Sequence, residues 1–174
     1  MLIGRTGCIY SPKTLGVRAR KIPIREPDLC LNPSHVILEK KGDIMQAIEI
    51  VALFIAINLI ILFTLTFLVI RQRRRHSIGI GDGNNEDLQR AIRVHGNFTE
   101  YTPLAMIALM ALAALGAHTH LLWLLGGTFT LGRLMHAIGY SKNSGKSFGR
   151  FYGMVLSGMS ILAMAGSLLF YVLT

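Results

Sequence analysis

Four long apolar runs separated by short polar segments set the plan of this chain. Residues 47–70, AIEIVALFIAINLIILFTLTFLVI, are almost wholly apolar. As a helix they reach about 36 Å, enough to cross a bilayer core with some tilt. The second run predicts a helix from Glu86 to Leu115 that starts polar and turns apolar. Its length of about 45 Å exceeds the hydrocarbon core, so its first turns should protrude or lie among headgroups. A third span is predicted over Leu121–Tyr140, with Trp123 suited to one interface and Tyr140 to the other. A fourth is predicted from Arg150 to Leu173; Gly149, Gly153 and Ser157 recur every four residues, a small-residue face for close helix packing. The expected fold is all-α, a multi-pass membrane four-helix bundle.

The connecting segments orient these spans. RQRRRH (71–76) puts four arginines at the end of the first run, and the loop SIGIGDGNN follows. Its GxGxG follows no strand, which removes a nucleotide-binding reading. Asn84 or Asn85 is placed to cap the second helix, with Glu86 and Asp87 in the first turn favouring its dipole. Gly116 should end it. The turn GAHTH lacks Lys and Arg; His118 and His120 would point apart on a helix with no third ligand near, so no metal site is expected. SKNSGKSFG (141–149) is basic. With both termini outside and the two basic loops in the cytoplasm, the positive-inside rule is met.

Residues 1–44 depart from this plan. They carry four of the five prolines, both cysteines (Cys8 and Cys30), eight Lys or Arg and four Asp or Glu. They lack a signal-peptide apolar core, and their proline content breaks a transit-peptide helix. The expectation is a disordered extension or a misassigned start, with initiation at Met45 and the functional domain over 45–174. The whole chain is 52% hydrophobic with a mean hydropathy of +0.49, which places it in the membrane class. Its net charge of +9 is shared between residues 1–44, at +4, and residues 45–174, at +5; most of the second set clusters beside apolar runs, a topology signal and no nucleic-acid footprint, and the basic residues also suit anionic lipid or a small anion. With no cysteine after Cys30, any sulfur chemistry in the membrane domain needs a thiol brought by a ligand.

Candidate chemistry lies where the second helix enters its apolar half, RAIRVHGNFTEY. At about 100° per residue, Arg90, Arg93, Asn97, Glu100 and Tyr101 fall within an arc of about 100°, while His95 points elsewhere. The two arginines alone could be interfacial anchors. Glu100 lies about 15 Å further along and calls for a partner or a ligand. Pro103, just beyond, removes a backbone donor. On the third span Arg133, His136 and Tyr140 recur at i, i+3 and i+7 as a second stripe near the same end. Arg133 reads as a structural partner of Glu100, which is compatible with a place in a site, and His136 either as a satisfied core histidine or as a ligand contact. Asn58, in mid-span, suits an interhelical hydrogen bond, with a ligand role as the other option. Together the stripes suit an anionic, peptide-like molecule: guanidinium forks for carboxylates, Glu100 for an ammonium. A cationic pocket would favour a bound thiolate. Four helices make a thin bundle, compatible with a site between subunits of an oligomer.

RVHGNFTEYTPL followed by GRLMHAIGY resembles the MAPEG family, membrane-associated proteins in eicosanoid and glutathione metabolism, and most its small bacterial branch. The resemblance covers residues 47–173. It implies homotrimers binding glutathione as co-substrate between subunits near the cytoplasmic face. By motif, Arg93, Asn97, Glu100 and Tyr101 match the second-helix glutathione contacts, Arg90 the arginine one turn earlier, and Arg133, His136 and Tyr140 the third-helix positions. Arg150 resembles the catalytic arginine that stabilises the glutathione thiolate, and Arg71 or Arg73 the first-helix arginine. The implied reaction is thiolate attack on a lipophilic electrophile, a detoxifying transferase or a peroxidase. The alternative is a non-catalytic oligomer that keeps the fold and a site for an anionic ligand or lipid. A transporter fits less well, since no pair of broken helices or inverted repeat is visible.

Overall fold

The computed structural model describes the backbone of residues 33–142 and 148–174 and the side chains of residues 42–139 and 148–174. The chain divides into two compact units, Met1–Gly42 and Asp43–Thr174. In the first, the described part is the opening of a helix; the bundle core lies in the second. The expectation of a disordered or misassigned stretch falls, for residues 1–32, outside the described residues. Four helices make up the described fold: α1 (Pro33–His76), α2 (Glu86–Ala114), α3 (Thr119–Lys142) and α4 (Phe148–Leu173).

The helix ends follow local chemistry. α1 begins well before Ala47, where the apolar run starts. Proline is well tolerated at a first helical position, and no other proline follows until Pro103, so nothing in 34–46 stops the helix. Asn85 is the cap of α2: it is extended, and its Oδ1 accepts from the Leu88 N–H at 2.9 Å. Asn84 takes φ +56° in the turn before it. Gly116, at φ +80°, closes α2. Its N–H bonds to Ala113 O at 3.1 Å and the Ala117 N–H to Leu112 O at 3.0 Å, satisfying two orphan carbonyls in a left-handed cap that a β-carbon would strain.

α1, α3 and α4 are each long and apolar enough to cross a membrane. α2 has the length, but its polar first half leaves a shorter wholly apolar stretch from Leu104 to Ala114, so it differs from the other three in apolarity. The main core sits toward the end away from the basic loops: Val51 and Phe54 of α1, Leu109 and Leu112 of α2, Leu122 and Phe129 of α3 and Met164 of α4. A smaller cluster of Leu65, Val94, Phe98 and Ala137 lies toward the basic end. Phe63, Leu104 and Leu162 are among the large apolar side chains that face outward, as lipid-facing positions would.

Glycines bring the helices close. A β-carbon on Gly153 would stand 2.5 Å from His136 N and 2.7 Å from Gly132 O, so α3 and α4 touch backbone to backbone. Ser157, one turn on, is buried in the same seam. Gly126 of α3 receives the Phe54 ring, which also meets Trp123 edge-on at 5.3 Å. Asn58 makes the interhelical bond: its Nδ2 donates to Thr130 Oγ1 at 2.9 Å and to Phe54 O at 2.8 Å. That is the structural one of its two readings.

Candidate functional site

An open cleft of about 590 Å³ runs between α2, α3 and α4, lined by Ile92, Arg93, Gly96, Asn97, Glu100, His136, Arg150 and Met154. Five residues singled out in the sequence meet here. Arg93, Asn97 and Glu100 follow one another at i, i+4 and i+7 along α2, so each turn of the helix returns one of them to the same wall. His136 comes from α3, and Arg150 from the first turn of α4. Arg93 and Glu100 are solvent-exposed, whereas His136 is buried. The wall therefore carries two guanidinium groups, one carboxylate, one amide and one imidazole. That set can hold anionic groups by charge-assisted hydrogen bonds and one cationic group through Glu100.

Among the described side chains, the rest of the predicted set lies elsewhere. Arg90 forms an ion pair with Asp87 one turn earlier and lines a separate cleft of about 220 Å³ with Leu65, Leu68 and Gln72. The stripe thus divides by helical angle: Arg93 and Glu100 at one edge face the main cleft, Arg90 at the other edge turns aside. Tyr101 is 41% exposed, with its ring 5.3 Å from the Arg133 guanidinium carbon. Arg73 is engaged in its own loop, donating from Nη1 to Gly79 O at 3.1 Å and Gly81 O at 3.0 Å, and Arg71 is exposed. The Tyr140 side chain lies outside the described residues.

Arg133 is the largest departure. As a partner of Glu100 it is corrected: its Nη1 donates to Asn97 Oδ1 at 2.9 Å and Asn97 O at 3.3 Å, and its Nη2 to Ser157 Oγ at 2.9 Å. It is only 2% exposed and does not line the cleft. A guanidinium has five donors and can join three helices at once, where the spacing rule looked for a carboxylate alone.

Gly96, Ile92 and Met154 line the cleft without a motif to mark them, and Ser157 lies behind it as a partner of Arg133. Met154 follows Arg150 by four residues and Gly96 precedes Glu100 by four, so helical spacing alone places both. Nothing in the sequence signals Ser157 as a partner of Arg133 beyond its place on the small-residue face. His95, off the stripe, bonds to Thr66 Oγ1 of α1 through Nε2 at 3.1 Å. A third, apolar cleft of about 200 Å³ lies between α1 and α2, lined by Asn58, Thr99, Thr102, Pro103 and apolar neighbours.

The chain is similar in sequence to known proteins. The sequence model of the MAPEG family matches residues 51–170, which takes in α2, α3 and nearly all of α4. The chain is also 36% identical over 89 residues to the inner membrane protein YecN of Escherichia coli K12, covering 51% of this chain and 68% of that protein. YecN of the Escherichia coli O6:H1 strain CFT073 matches to the same extent.

Proposed function

Since the chain belongs to the MAPEG family, we propose that its polar cleft binds glutathione and presents the thiolate to lipophilic electrophiles from the bilayer. The observation that carries this is the convergence of Arg93, Asn97, Glu100, His136 and Arg150 on one cleft. Glutathione has two carboxylates and one ammonium group; the cleft offers two guanidinium groups and one carboxylate. Arg150 begins a membrane helix at the rim of the cleft. A cation there favours the thiolate over the thiol, and no side chain of the protein need act as nucleophile. The thiolate sulfur forms a bond to an electrophilic carbon. In a substitution the leaving group departs with the bonding pair; in an addition to an activated alkene the resulting carbanion takes a proton from water.

The chain is an integral inner-membrane protein. The positive-inside rule orients it with both basic loops, and hence the cleft's polar end, toward the cytoplasm, where glutathione is supplied. Arg93 and Glu100 are exposed on a single chain. A homotrimer would cover them with a neighbouring subunit and enclose the ligand.

The test is a calorimetric titration of the full-length protein in detergent with glutathione, with the thiolate followed by ultraviolet difference absorbance. Saturable binding with a thiolate signal at neutral pH is expected. Arg93→Ala and Glu100→Gln should each weaken binding about tenfold or more. Arg150→Ala should lose the thiolate signal before it loses binding. Binding without thiolate would leave a non-catalytic glutathione-binding protein, and a folded protein that binds none would overturn the proposal.

A further inference from the structure

We infer that Arg133 is a positioning residue. It holds the Asn97 amide with its oxygen turned into the protein and its NH2 turned to the cleft, so that the site takes a hydrogen-bond acceptor at this point. The inference deepens the glutathione-site proposal and rests on it for the ligand.

A guanidinium carries donors only. The Asn97 side-chain atom 2.9 Å from Arg133 Nη1 must therefore be the oxygen, since the opposite amide would set N–H against N–H. The amide oxygen and nitrogen point in different directions from one carbon, and Asn97 lines the cleft. Fixing the oxygen inward leaves the nitrogen as the group the amide can offer outward.

Arg133 is itself held in place. Ser157 Oγ donates to Gly153 O at 2.6 Å, which commits its hydrogen and leaves its lone pairs for Arg133 Nη2 at 2.9 Å. The Tyr101 ring supports the guanidinium carbon. Among the described residues no carboxylate pairs with Arg133, so a buried cation rests on neutral acceptors and an aromatic ring. Such a group has strong reason to keep the Asn97 oxygen. Without it, the Asn97 amide could turn either way and accept as readily as it donates.

The cleft then has a polarity along α2. Arg93 and Asn97 both present donors, and Glu100 one turn beyond presents an acceptor. A ligand seated there places carboxylate or carbonyl oxygens against the first two and an ammonium or N–H against the third. Arg133 acts on the ligand through Asn97 and makes no contact of its own.

The test is a set of variants of the full-length protein, each measured for glutathione affinity by calorimetry and for thermal midpoint. Asn97→Asp gives Arg133 a carboxylate, so its midpoint should equal or exceed wild type, while an oxygen in place of NH2 weakens glutathione about tenfold or more. Arg133→Gln should weaken glutathione in the parent but not in an Asn97→Ala background. A merely structural role would weaken it equally in both, and that result overturns the inference. So does an Asn97→Asp protein that melts below wild type or binds as wild type does. If Arg133→Gln fails to fold, Asn97→Asp alone decides. Failure of the wild type to bind glutathione would overturn the glutathione reading and the ligand half of this inference, while the Asn97→Asp midpoint still reads the amide's orientation without any ligand.

Discussion

The seam between α3 and α4 gives the sharpest test of the packing. In Gly153→Ala the new methyl group would stand 2.5 Å from His136 N, 2.7 Å from Gly132 O and 2.9 Å from His136 Cα. Carbon contacts are comfortable at about 3.5–4.0 Å, so the two helices must part by about 1 Å. All three obstacles are backbone and none can rotate aside. Overpacking of this kind costs about 1–3 kcal/mol. Gly166 lies on the same helix, and a methyl group added there would have nothing within 4 Å. The same substitution at that point meets no obstacle and gains about 0.5–1 kcal/mol in helix propensity. The propensity gain is common to both variants, so they should be separated by the overpacking cost alone, about 1–3 kcal/mol, with Gly153→Ala the less stable. Thermal unfolding of each in one detergent, checked against denaturant titration, measures the gap. Gly153 also lies one turn from Arg150 and from Ser157, so the destabilised variant should lose glutathione affinity as well. If Gly153→Ala melts with or above Gly166→Ala, the backbone contact described for this seam is wrong.

Two further outcomes follow from polar contacts. Asn58→Leu and Thr130→Val should each lower stability by about 0.5–2 kcal/mol, and the double variant by less than their sum, because both remove one interhelical bond; thermal midpoints of the cycle give the coupling. Arg73→Ala should leave the thermal midpoint nearly unchanged but speed amide exchange and proteolysis across Ile78–Gly81, whose carbonyls the guanidinium gathers; an unchanged exchange pattern would mean that the turn holds itself.

The helices and several of their ends were legible because they depend on local chemistry. Hydropathy sets the spans, an asparagine side chain sets the start of α2, and a left-handed glycine sets its end. The polar stripe on α2 was legible as an arc, but an arc does not say where neighbouring helices lie. Arg90 and Glu100 share it and still part company, one pairing with Asp87 and the other facing the cleft. Arg133 was visible as a charge out of place in an apolar run. Its partners were hidden, because one is a serine on α4 and another a backbone carbonyl, neither of which carries a charge to search for. The early start of α1 was obscured for a related reason: hydropathy reports where a helix can enter lipid, whereas the helix itself continues for as long as no residue interrupts it.

The close seam also determines which part of the protein can move. Helices that meet backbone to backbone slide or separate only at high cost, so α3 and α4 form a single stiff plank. The far half of α2 is wedged into the main core by Ala105, Leu109 and Leu112. Its near half is tethered to α3 by Arg133 and to α1 by His95. Between these halves Pro103 has no N–H to offer Thr99 O, so the helix lacks a rung at that point. Among the described residues, the near half of α2 is therefore joined to the stiff plank by side chains alone, through Asn97 and the packing of Val94 and Phe98 beside Ala137, and never by backbone contact of the kind that locks α3 to α4.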